Sequence, residues 1–217
     1  TGYKGKYFVL GADIAYRHAE QEGGEYESNY TAIGNGNTFC GNFDGRGHTV
    51  SGIRIYMGSG CQGLFGQSGG NIRGITLADA RITGYIDYDP SLGGIVGANS
   101  GTVSDCHVAA TVTIRAYLNH YYSYKLGGIV GENKGTVSDC TSAATLTTNE
   151  SSLAYHGGIA GYNYSGTLSH NLAIGAFVSP DKYSKYGAIC GFNGGTLENN
   201  YYHACTVASN SVTATDV

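Results

Sequence analysis

Gly94-Ile95-Val96-Gly97-Ala98-Asn99-Ser100-Gly101-Thr102-Val103 returns 34 residues later as Gly128-Ile129-Val130-Gly131-Glu132-Asn133-Lys134-Gly135-Thr136-Val137. The tetrapeptide at its head also occurs as Gly63-Leu64-Phe65-Gly66, Gly158-Ile159-Ala160-Gly161 and, with alanine first, Ala188-Ile189-Cys190-Gly191. Its first apolar residue falls at 64, 95, 129, 159 and 189, so the steps are 31, 34, 30 and 30. A second block follows each copy: Asn71-Ile72, Gly101-Thr102-Val103, Gly135-Thr136-Val137, Gly166-Thr167-Leu168 and Gly195-Thr196-Leu197. A period in this range marks a repeat architecture, whose units bury their apolar faces only against their neighbours.

Within one repeat, Leu92 to Ala98 is a short apolar run and Asn99-Ser100-Gly101 a turn cluster. Thr102 to Val108 follows, and Ala110 to Tyr117 alternates with period two, placing Val112 and Ile114 inward and Thr111 and Thr113 in water. Three short strands per coil without helical periodicity predict an all-β parallel β-solenoid (β-helix) with repeats of roughly 30 residues. Val50-Ser51-Gly52-Ile53-Arg54-Ile55 aligns with Ile72 to Leu77, extending the array to about six coils. At about 4.8 Å per coil the core spans about 29 Å. The column Val50, Ile72, Val103, Val137, Leu168 and Leu197 is expected to form one inward row. Residues 1–38 read as an irregular N-terminal cap and first strand, 39–205 as the solenoid and 206–217 as a tail.

Composition narrows the function classes. The 217 residues carry 12 Lys and Arg against 16 Asp and Glu, net −4, with no basic stripe for nucleic acid or an anionic membrane. No apolar run is long enough to insert in a bilayer. Glycine is abundant, 36 residues, but without a Gly-X-Y period, which excludes collagen. The six cysteines lack the paired spacing of a zinc site. The chain begins at Thr1, as a processed export product or a trimmed segment does.

At these motifs the chain resembles the GLUG-repeat proteins, named for the Gly-Leu-X-Gly signature seen at Gly63 to Gly66. The stretch Phe39-Cys40-Gly41-Asn42-Phe43-Asp44-Gly45-Arg46-Gly47-His48-Thr49-Val50 is similar to the segment that precedes such repeats, and the likeness covers about residues 33–202. The resemblance implies a module of large exported or cell-surface bacterial proteins, adhesin-like or part of immunoglobulin A1 metallopeptidase-like proteins. There the zinc peptidase is a separate HExxH domain. This chain has no HExxH; His18 is followed by Ala19-Glu20 with no second histidine four residues on. The expectation is therefore a non-catalytic extracellular or cell-surface module with no cofactor and no metal. Its partners would be an extracellular glycan or host protein and the other domains of a larger chain.

Several residues are weighed as sites. Cys106 and Cys140 share a repeat position, continued by Asn171 and Asn200, and read as a reduced core ladder, a disulfide or a metal pair. Cys190 reads as a small hydrophobe. Asp105 and Asp139 stack about 5 Å apart, the spacing of a retaining glycosidase pair. Their column runs on as His170 and Asn199 behind Gly74, the signature of a solvated turn. Asp87 and Asp89 lack the flanking pattern of a calcium loop. His107, His120, His156 and His203 show no ligand spacing and default to surface or turn roles.

Tyrosine stands apart, with 19 residues against 6 Phe and no Trp. Tyr85, Tyr88, Tyr117, Tyr121, Tyr122, Tyr124, Tyr155, Tyr183 and Tyr186 cluster in the segment joining the third strand of one coil to the next signature. Stacked coils would bring these segments to one edge, the face on which repeats vary in length. The edge is a ligand-binding surface or an aromatic cover for the solenoid itself. A binding surface, a carbohydrate-active enzyme using Asp105 and Asp139, and a pure spacer are the three rival functions.

Overall fold

A computed structural model describes residues 2–17, 27–58, 60–85, 90–117, 123–148, 154–178, 184–203 and 206–207, without the side chains of 57, 58, 85, 206 and 207. Every described element is a strand or turn, every strand pairing is parallel, and the chain winds as a β-solenoid with about 31 residues per turn.

One complete coil runs through five short strands. They are Ser91–Gly93, Val96–Asn99, Thr102–Ser104, His107–Val108 and Thr113–Tyr117. Each stacks on its equivalents to form one of five sheets, called sheets 1 to 5 in that order, with four, five, seven, seven and six strands. The three predicted runs are all present, but corners break the first two. Gly94-Ile95 turns the chain between sheets 1 and 2, and Asp105-Cys106 turns it between sheets 3 and 4.

The second corner explains the polar column. Asp105, Asp139, His170 and Asn199 all have positive φ, between 49° and 56°, and Gly74 occupies the same place at 64°. Left-handed backbone is tolerated by glycine, asparagine and aspartate because a short polar side chain bonds locally and crowds little. Asp105 and Asp139 are exposed at this corner.

Registry along sheet 3 joins Phe8, Phe43, Ile72, Val103, Val137, Leu168 and Leu197 in one inward row. Five of the six residues expected there are in it. Val50 is not: it pairs with Leu77 in sheet 4. The reason is local likeness within a coil. The Val50-Ser51-Gly52-Ile53 corner copies the pattern of the preceding corner, while the four-residue turn Gly45-Arg46-Gly47-His48 takes the place of Gly74-Ile75.

The other inward rows complete one continuous apolar core. Val112 and Ile114 are fully buried while Thr111 is exposed and Thr113 half-buried, as the alternation predicts. Toward the N-terminal end, Phe8, Phe39, Phe43 and Phe65 pack at ring separations between 5.2 and 5.9 Å. Tyr7–Val9 and Ile14–Ala15 extend sheets 3 and 4, so the segment before residue 38 contributes strands to the solenoid.

The signature glycines are set by the next coil. A Cβ on Gly94 would meet the carbonyl of Gly128, one on Gly128 that of Gly158, and one on Gly158 that of Ala188. Ala188 itself lies in the last coil described, where no later carbonyl faces it among the described residues. Alanine is permitted at the one copy that lacks this constraint.

Candidate functional site

Two internal polar ladders hold the coils in register. Asn99, Asn133, Asn163 and Asn193 occupy equivalent places at the end of the sheet 2 strands. Asn99 Nδ2 donates to Asn133 Oδ1 at 2.9 Å, Asn133 to Asn163 at 3.0 Å and Asn163 to Asn193 at 2.8 Å. Each Oδ1 of Asn99, Asn133 and Asn193 also accepts from the glycine N–H two residues on, which is why Asn-x-Gly recurs. A buried amide needs all its bonds made, and here they are made by repetition.

The second ladder is mixed. Asn171 Nδ2 donates to Asn200 Oδ1 at 2.9 Å and to Val137 O at 3.0 Å. Cys106 and Cys140 occupy the same column as buried free thiols, each bonding a serine carbonyl, Ser104 O and Ser138 O. Hydrogen bonding with Cys106 and burial push the Cys140 thiol well up, keeping it protonated. Cys190 is a buried free thiol beside Ala160, pushed up to about 12 by burial. Among the described residues no three His, Cys, Asp or Glu side chains gather to hold a metal.

The expected tyrosine edge divides. Tyr124 and Tyr186 are core residues, 0% and 3% exposed, and this corrects their assignment to an exposed edge. Both lie in sheet 1 strands rather than loops, Tyr124 at the first position of Tyr124–Gly127 and Tyr186 at the second of Lys185–Gly187, and both face inward. Tyr117 and Tyr155 are half-buried, on the outward positions of strands. Tyr85 pairs with Tyr117 through its backbone, but its side chain lies outside the described residues, as do Tyr88, Tyr121, Tyr122 and Tyr183. Asp87, Asp89, His120 and Cys205 lie outside them too.

His156 also departs from its surface default. It lies in the inward row of sheet 1 with Leu92, Leu126 and Tyr186 and is completely buried. Its ring stacks on Tyr186 at 4.7 Å and meets Phe177 edge-on at 6.4 Å. Neither ring nitrogen has a hydrogen-bond partner among the described residues, and burial lowers its pKa to about 3. Three aromatic rings fill the coil where the neighbouring inward residues Ser142, Ala160 and Ala173 are small.

The surface feature that sequence reading missed lies on the outer face of sheets 1 and 2. Tyr162 and Phe192, in register on adjacent coils, stack at 4.4 Å and 20°. Tyr155 meets Tyr162 edge-on at 5.2 Å, and Tyr164 stacks with Tyr162 at 6.0 Å. Tyr164 and Phe192 are 59% and 42% exposed. Lys125 and Lys134 border the rings, with Nζ 5.9 Å from the Tyr162 centroid and 5.3 Å from the Tyr164 centroid. Both lysines pair with Glu132, at 2.9 and 2.6 Å. Burial pushes the Glu132 carboxyl up, but the two ammonium groups outweigh it and hold the carboxyl below its ordinary range. The 30-residue step aligns Tyr162 with Phe192 in the sequence; that both rings face outward and that Tyr155 and Tyr164 join them came from the structure.

Comparison with known proteins agrees with this coil. The model of the GLUG motif matches residues 90–113, which span Gly94 to Gly97 and the corner after it. Halomucin of Haloquadratum walsbyi is 31% identical over 107 residues, 48% of this chain and 1% of halomucin. The chain therefore spans a very small part of that relative. The crystal structure of a candidate immunoglobulin A1 protease from Bacteroides ovatus superposes with a TM-score of 0.59. It covers 97% of this chain and 73% of that one at 19% identity, a likeness of fold alone. The chain is thus a parallel β-solenoid that carries the GLUG motif over residues 90–113, repeats its signature along the coils, and is similar in fold to the Bacteroides protein.

Proposed function

We propose that this chain is a non-catalytic, exported repeat module that works at the cell surface by holding a ligand, a glycan or a host protein, against the side of its solenoid. The observation that carries this reading is the outward cluster of Tyr155, Tyr162, Tyr164 and Phe192 beside Lys125 and Lys134. Exposed aromatic rings are the usual anchors of recognition, because they bring large rigid area at low entropy cost. A pure spacer has no use for them: the same outward column carries Gln67 and Ala98 in earlier coils without loss of the fold. The surface location draws support from the partial likeness to halomucin and the fold shared with the Bacteroides protein.

The enzyme reading rests on Asp105 and Asp139, and their left-handed corner gives that column a conformational explanation that needs no chemistry. An array of glycans and host proteins probed with the purified chain is expected to show saturable binding. Incubation with pectins, host glycans and immunoglobulin is expected to release no product. Turnover lost on Asp105→Asn or Asp139→Asn would overturn the non-catalytic reading.

A further inference from the structure

The aromatic cluster does not stand alone. Beside it, in the preceding coils, an open cleft of about 310 Å³ is lined by Gln67, Ala98, Ser100, Glu132 and Lys134 among others. Ala98, in register between Gln67 and Glu132, contributes a small side chain to its lining. Its size lies within the ordinary range of small-ligand clefts, about 300–1,000 Å³. Ring cluster and cleft meet at Lys134 and run together along the solenoid axis, crossing successive coils.

Charge on this strip opposes that of the whole chain. Lys125 and the exposed Lys185 on outward positions of sheet 1 and Lys134 in the turn after sheet 2 outnumber the single glutamate of the strip, Glu132, while the chain as a whole is −4. Glu132 is held by two of the lysines, and Lys134 keeps 53% of its side chain exposed. An ammonium has three donors, so each keeps donors for a further acceptor.

Resting on the ligand-binding reading above, the geometry points to a carboxylate-bearing oligosaccharide as the ligand of this strip. A pyranose ring offers an apolar C–H face and a hydroxyl edge. Tyr164 and Phe192 present ring area to the first, and Gln67 and Ser100 present amide and hydroxyl groups to the second. The sugar carboxylates pair with the lysines. A peptide adding itself as a strand would pair with the backbone edge of the last described coil, at Lys185–Gly187 and Cys190–Asn193, and would not lie across the outward side chains of Gln67, Ala98 and Glu132, whose strands are paired on both sides.

The experiment measures binding of uronate oligosaccharides (oligogalacturonate and hyaluronan oligomers) and their carboxyl-reduced forms to the purified chain by calorimetry. The reduced sugars are expected to bind at least tenfold more weakly, and rising salt to weaken only the acidic ones. Tyr164→Ala with Phe192→Ala, and separately Lys134→Gln, are expected to weaken the acidic sugar about tenfold or more, with unchanged thermal unfolding. Lys134→Arg, which keeps the charge, restores binding. Equal affinity for acidic and reduced sugars, or full affinity in the variants, overturns the inference. A chain that captures host proteins on an array but no acidic sugar overturns it while leaving the ligand-binding module standing. One that captures nothing removes both.

Discussion

Asn133 donates through Nδ2 to Asn163 Oδ1 at 3.0 Å across 30 residues of chain, and accepts at its own Oδ1 from Asn99 at 2.9 Å. The three amides are buried; each donates to its equivalent in the next coil, and Asn133 and Asn163 also accept from the one before. This pairing fixes register in a way that interchangeable Val, Ile and Leu rows do not, because a slip of one residue leaves the amides unpaired in the interior.

Asn133→Ala strips a donor and an acceptor from the middle of the ladder and leaves the Gly135 N–H without the oxygen it meets at 3.2 Å. The expected loss is about 2–4 kcal/mol, since each orphaned buried group costs about 1–3 kcal/mol. Denaturant unfolding followed by circular dichroism measures it. Lys134→Ala, next to it in sequence but exposed, is expected to cost no more than about 1 kcal/mol. Equal losses at the two positions contradict the ladder's role.

Gly128 and Ala188 occupy the same signature position yet should respond oppositely to a methyl group. Gly128→Ala drives a Cβ against the Gly158 carbonyl and Ser142 Oγ, and is expected to destabilise by more than about 2 kcal/mol. Ala188→Gly meets no such obstacle and is expected to cost about 1 kcal/mol or less. Melting temperatures of the two variants decide the matter, and similar shifts would count against inter-coil contact as the origin of the signature.

At the left-handed corner, Asp139→Asn and Asp139→Gly are expected to change stability by less than about 0.5 kcal/mol. Asp139→Val, which crowds its own carbonyl at φ 56°, is expected to cost about 1–2 kcal/mol. Denaturation midpoints provide the test. A large loss in the asparagine variant instead points to a role for the carboxylate itself.

His156 makes stability fall with acid. Its pKa is about 3 when buried, against an ordinary value of 6.5, so the unfolded chain takes up the proton first. Its contribution is intact above pH 6.5 and is lost as pH falls toward 3, at about 1.4 kcal/mol per pH unit. His156→Leu, matching Leu126 in the row, is expected to flatten the decline between pH 6 and 4 in urea unfolding curves. A parallel decline in parent and variant places the acid sensitivity elsewhere.

The sequence by itself determined the coil. Period, signature and Val103-type alternation depend on contacts between equivalent residues, and a repeat writes such contacts once per unit into the chain. Even the wrong partner for Val50 has this origin, since Val50-Ser51-Gly52-Ile53 at one corner and Ile72-Arg73-Gly74-Ile75 at another share an apolar-x-Gly-Ile pattern, and the longer Gly45 to His48 turn shifts the first of them to the following corner. What lay beyond the sequence was the facing of residues where loops meet strands. Tyr124 and Tyr186 looked like their neighbours Tyr117 and Tyr155, but a shift of one position on a strand moves a ring from water to core. The candidate site depended on the same step. Tyr162 and Phe192 are 30 residues apart and unremarkable alone, and they become a surface only when parallel pairing lays one coil on the next at 4.4 Å between rings. Local pattern decides which strands form; inter-coil registry, a property of the packed whole, decides which side chains stand together outside.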